Sequence, residues 1–176
     1  FDDQQKLREL ISVSGFLTAQ RFRATDGGCP KYLAVHTIEI TEVLHGGEYR
    51  QKGGGNFSRW QPHITDWRRN IYSGVSLAPA VRKNHFLLIS ESGPEPLLKA
   101  GISPEYLQAV ALAQFPSQRW IAVASEVISD IQDLVSQGVF CYQPMVDQLT
   151  PLVISACYYA GLVRVSQSAT QKKQGT

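Results

Sequence analysis

His36 is the residue whose type and setting most invite chemistry. It lies in Y-L-A-V-H-T-I-E-I (32–40), a strand-like run rich in aromatic and β-branched residues. A period of two puts it on one face with Tyr32, Ala34, Ile38 and Ile40. A neutral imidazole among such neighbours can serve as a base near physiological pH. The plainer alternative is a core histidine bound to a neighbouring group. Arg21, in the preceding run F-L-T-A-Q-R-F-R-A (16–24), could stabilise a carboxylate or an enolate, and Tyr32 could assist the proton transfer. Glu39 is a candidate partner for Arg21, either diagonally or across a dimer interface. A buried pair of that kind holds register more than it adds stability. Trp60, His63 and Trp67 follow one another at helical spacing. They could wall a pocket for a flat aromatic molecule, or form ordinary core.

Other chemistries find little footing. The four histidines show neither H-x-x-x-H nor H-x-H grouping, and Cys29, Cys141 and Cys157 lack metal-ligand spacing, so no metal site is expected. An odd set of three cysteines suits reduced thiols and a cytoplasmic setting better than a disulfide framework. Gly53-Gly54-Gly55 has no following Lys-Ser/Thr and is a poor phosphate loop, and S-E-S-G-P (90–94) lacks the glycines of a nucleophile elbow. No cofactor is expected. A net charge of +2 with scattered basic residues offers no stripe for nucleic acid. No run approaches the roughly 18 apolar residues of a membrane span, and no secretory segment leads the chain.

The elements that would position these residues follow from periodicity and punctuation. Residues 3–13 read as an amphipathic helix, ended by Gly15. Two strands, Phe16–Ala24 and Tyr32–Ile40, flank the turn Asp26-Gly27-Gly28-Cys29-Pro30 and form an antiparallel hairpin. Thr41–Arg50 predicts a short helical stretch broken at Gly46-Gly47, and Gln51–Asn56 a loop. Asn56–Arg69 predicts a helix, Asn70–Leu77 a strand and Ala78–Asn84 a joint. Beyond it come a buried strand at 85–90, a break at 92–96, a helix at 104–115, a strand at 119–124 and a capped helix at 125–137. A strand at 139–142, a helix at 145–159, a strand at 161–167 and a frayed tail at 169–176 complete the expectation.

The runs G-F-L-T-A-Q-R-F-R-A, P-K-Y-L-A-V-H-T-I-E and R-R-N-I-Y resemble the small EthD-like/DUF4286-type proteins of the dimeric α+β barrel superfamily. The likeness covers about residues 1–77. It implies an α+β fold of ferredoxin-like β-α-β-β-α-β units whose sheets face each other in a homodimer or a tandem pair. Two departures accompany it. The family begins with a strand ahead of the first helix, whereas this sequence begins within the helix. The family's W-Y-x-x-x-H pattern falls on Phe1, Asp2 and Lys6, so no histidine role carries over there. Either the run K-N-H-F-L-L-I-S-E-S-G-P (83–94) opens a second, degenerate half, or it fills the vacant place in the first. The expected domains are a ferredoxin-like half at 1–80 and a second half or extension at 83–168.

The functional expectation joins the two lines of argument. A cofactor-independent enzyme of lyase, isomerase, cyclase or oxygenase type would act on a small apolar, aromatic or polyketide-like molecule. His36 would transfer the proton with Arg21 and Tyr32 beside it, and Trp60, His63, Trp67 and Glu39 would hold the substrate. The alternative is a non-catalytic ligand-binding or structural partner subunit of the same fold.

Overall fold

The computed structural model describes residues 3–25, 30–52, 68–125 and 131–151. The hairpin forms where the turn chemistry places it. Strand β1 (Phe16–Ala24) pairs antiparallel with β2 (Tyr32–Ile38), Ala19 facing His36 and Arg21 facing Ala34. The register slips between Phe16 and Thr18. That bulge turns Phe16 to the side of Ala19, three residues on, which strict alternation would forbid. Helix α1 (Asp3–Ile11) buries Leu7 and Ile11 against Phe16 and Ala19. Gly15, at φ 87, makes the reversal into β1. A 3-10 turn (Thr41–His45) and the short helix α2 (Gly47–Gln51) replace one longer helix, as Gly46-Gly47 predicts, and Tyr49 of α2 joins the same cluster.

After β3 (Asn70–Ser73) the chain crosses to β4 (His85–Ser90), α3 (Glu95–Lys99), β5 (Glu105–Leu112), β6 (Gln118–Ser125), α4 (Ile131–Ser136) and β7 (Val139–Pro144). All seven strands form one antiparallel sheet in the order β2-β1-β7-β4-β6-β5-β3. Strand β4 lies at its centre and is buried on both sides, which explains its apolar run Phe86–Ile89. Phe86 and Leu88 pack with Ala122, Cys141, Leu97 of α3 and Leu134 of α4. Leu87 and Ile89 point the other way, towards Phe22, Leu107, Ile121 and Tyr142. Residues of β2 (Leu33, Val35) and β3 (Tyr72), at opposite edges of the sheet, belong to that second cluster. The sheet is therefore curled, its concave face filled by side chains and its convex face carrying the helices.

The crossing from β3 to β4 is fastened inside the curl. Gln20 is 1% exposed; its Nε2 donates to Val81 O at 2.7 Å and Val146 O at 3.0 Å, and its Oε1 accepts from Val81 N at 3.1 Å. Thr18 Oγ1 donates to Thr37 Oγ1 at 2.7 Å, and Thr37 Oγ1 accepts from Ala78 N at 2.9 Å.

Three expectations need correction. Residues 105–112 are strand rather than helix. Leu107, Ala109 and Ala111 turn inward while Tyr106, Gln108, Val110 and Leu112 turn out, and ladders to β3 and β6 override good helix formers. Residues 145–149 bend and run beside β1 rather than forming a helix, with Met145 N donating to Arg21 O and Leu149 exchanging two bonds with Ala19. The break at 92–96 runs into a short helix, α3, which opens with Glu95 and Pro96. The expected helix at 56–69 and the elements beyond 151 fall mostly or wholly outside the described residues.

Candidate functional site

His36 sits on the convex, helix-bearing face of the hairpin. The bulge brings Phe16 edge-on to its ring at 5.7 Å and 73°, and Phe16 in turn stacks on Tyr49 at 5.8 Å. Its Nδ1 is buried and has no hydrogen-bond partner among the described residues. Burial, followed by the charge on Arg21, lowers its pKa to about 4. Such an imidazole is neutral at pH 7 and a feeble base, because proton transfer is most efficient when the pKa lies near the working pH.

The register decides which candidates meet. His36, Ala34 and Tyr32 share a face with Ala19, Arg21 and Arg23, so the three expected catalytic residues lie on one surface. Arg21 is the diagonal neighbour of His36. Tyr32 lies opposite Arg23, four residues from His36, about 13 Å along the strand. It is 57% exposed, and the Lys31 ammonium stands 5.5 Å from its ring centre. Glu39 is exposed, and its N–H donates to Gly15 O. Arg21 is opposite Ala34, five residues before Glu39, so about 16 Å of strand separates the suggested ion pair. Trp60, His63 and Trp67 lie outside the described residues.

Open space occurs at the far end of the hairpin from His36. A cleft of about 270 Å³ is lined by Arg23, Ala24, Thr25, Lys31 and Gln143. A neighbouring apolar hollow of about 180 Å³ is lined by Ala24, Thr25, Val135, Gly138, Val139, Phe140 and Cys141. Cys141 is buried, and its carbonyl accepts from Thr25 N at 3.0 Å. Lys31 was not among the expected site residues, and Arg23, one of the polar residues of the hairpin, carried no assigned role, although the pairing alone would have set it beside Tyr32. Gln143 carried no sequence signal; β7 brings it opposite Arg23.

Elsewhere, Arg119 forks onto one oxygen of Glu91 at 3.0 and 2.6 Å and lies 5.2 Å from the centre of the Tyr72 ring, a structural cluster. Tyr72 donates to Pro116 O, and burial raises its pKa. Among the described residues no three His, Cys, Asp or Glu side chains gather as metal ligands, and no helix is long and apolar enough to cross a membrane.

The fold and site define an α+β protein with a curled antiparallel sheet. No family model matches the chain, and no curated protein or solved structure matches it.

The half-buried imidazole, its Nδ1 shut off from solvent, gives stability a pH dependence. Unfolded, His36 takes up a proton near the ordinary 6.5; folded, it does so only near 4. Between those values the unfolded chain binds more protons, so its contribution is intact above pH 6.5 and is lost as the pH falls. The expected loss is roughly 3 kcal/mol by pH 4. Urea midpoints at pH 7 and pH 4.5 should show that slope in the native chain and a much flatter one in His36→Gln. Equal slopes would refute it.

Proposed function

We propose that this chain is a tandem ferredoxin-like α+β barrel of the EthD-like type, acting as a non-catalytic small-ligand-binding subunit. The fold reading is supported by β4-α3-β5-β6-α4-β7, whose strands lie in the order β7-β4-β6-β5, the arrangement of a ferredoxin-like unit. The binding reading is carried by one observation: the convex face of the hairpin runs from a neutral His36 past Arg21, Arg23 and Tyr32 to a cleft that also presents Lys31. Two or three cations beside a phenol ring suit a small aromatic carboxylate, held by charge-assisted hydrogen bonds and by ring contact. Proton transfer, the other use of this face, is disfavoured by the low basicity of His36.

Calorimetric titration with naphthoate and with uncharged naphthalene-methanol tests the reading. Naphthoate is expected to bind, the neutral analogue to bind at least tenfold more weakly, and the double variant Arg23→Ala/Lys31→Ala to lose about tenfold or more for naphthoate. No heat with naphthoate, or equal affinity in the variant, would defeat it. Turnover of such ligands detected by mass spectrometry would favour the enzymatic reading.

A further inference from the structure

Among the described residues, seven antiparallel strands leave two edges, and the count fixes their directions. Neighbours alternate along β2-β1-β7-β4-β6-β5-β3, so β2 and β3 run the same way. They cannot close on each other as an antiparallel pair. One further strand between them, antiparallel to both, would complete an alternating ring.

The edges are already drawn towards each other. Arg69, next to β3, donates to the Tyr49 hydroxyl at 3.2 Å, and Tyr49 stacks on Phe16, the partner of Ile38 at the end of β2. On the concave side, Thr37 of β2 holds the N–H of Ala78, shortly after β3 ends. Side chains of both edges share one apolar cluster.

Connectivity says what belongs there. The elements α1-β1-β2-α2-β3 repeat the order α3-β5-β6-α4-β7. The pair β1–β2 corresponds to β5–β6, and the cross-pairings β1–β7 and β3–β5 mirror each other. Among the described elements, only β4 lacks a counterpart. It pairs with β6 and β7, whose counterparts are β2 and β3, the two edges of the described sheet.

We infer that the position between β2 and β3 is a strand-binding site, and that its occupant is the segment of the natural polypeptide leading into α1. By analogy with β4, that segment is about six residues long, apolar on both faces and antiparallel to both edges. It joins α1 through a short link, as Glu91-Ser92-Gly93-Pro94 joins β4 to α3. The inference rests on strand pairing and is independent of the ligand at the hairpin.

Hydrogen exchange on the 176-residue chain tests it, with the synthetic peptide K-N-H-F-L-L-I-S-E, the sequence of residues 83–91, as the probe. The peptide is expected to slow exchange of edge amides in β2 and β3 at least tenfold and to leave β6 and β7 unchanged. No slowing at β2 and β3 would overturn the site. Three results would overturn the occupant. One is edge protection without peptide that disappears in a chain ending at Pro151, which would assign the place to the chain's own C-terminal segment. Another is protection that disappears on dilution as the mass by light scattering halves, which would assign it to a second copy. The last is intact mass and N-terminal sequencing of the natural protein that find no apolar strand ahead of α1.

Discussion

Gln20→Ala is expected to lower stability by about 3–5 kcal/mol, the largest effect of any single change in the hairpin. Gln20 is fully buried, and its amide satisfies three backbone groups at once: both the N–H and C=O of Val81, and the C=O of Val146. Truncation strands those groups away from water, at about 1–3 kcal/mol each where no solvent can replace the lost bond, and it opens a cavity besides. Gln20→Met separates the two contributions. It refills most of the volume but satisfies none of the backbone groups, so it should recover only the cavity share. Urea unfolding of the three proteins reads the result, and a loss under about 1 kcal/mol in Gln20→Ala would show that the crossing segment is held by something else.

Gly74→Ala is the second large effect. Gly74 has φ 141, a conformation nearly closed to other residues, and an added Cβ would drive into the backbone carbonyl of Tyr106 on β5. Because β3 pairs with β5 right up to Ser73, the clash cannot be relieved without parting the two strands. A loss of about 3 kcal/mol or more is expected, with amide protection disappearing from β3 first. Gly101→Ala is the control. Its φ is 73 but nothing stands within 4 Å of the added carbon, so it should cost only about 1 kcal/mol. Equal losses at the two positions would show that backbone strain alone, and not the approach to β5, sets the penalty.

Much of this framework was legible before any coordinates. The turn residues and β-branched runs marked β1 and β2, and the apolar F-L-L-I within H-F-L-L-I-S marked β4 as a buried strand. Strand β5 was not legible, because E-Y-L-Q-A-V-A-L is composed of good helix formers and only its two neighbours make it extended. The same limit applies to the site. Period-two reasoning set His36 and Tyr32 on one face, and the pairing then brought Arg21 to it. It could not show that a bulge would swing Phe16 onto the imidazole, or that burial and the charge on Arg21 would suppress its basicity. Nor could it place Gln143 beside Arg23, a meeting between residues far apart in the chain. The separation between Arg21 and Glu39, by contrast, follows from simple counting once the hairpin register is fixed.

That long reach has a consequence for how the molecule comes into being. Strand β1 waits for β7, and Thr25 meets the carbonyl of Cys141 across 116 residues. On the ribosome, the chain must emerge as far as β7 before the first hairpin acquires its inner neighbour. Until then, two sticky backbone borders stand open to any passing strand. Late-arriving β7 is thus the keystone of assembly, and the nascent chain is most exposed to mispairing until that strand emerges.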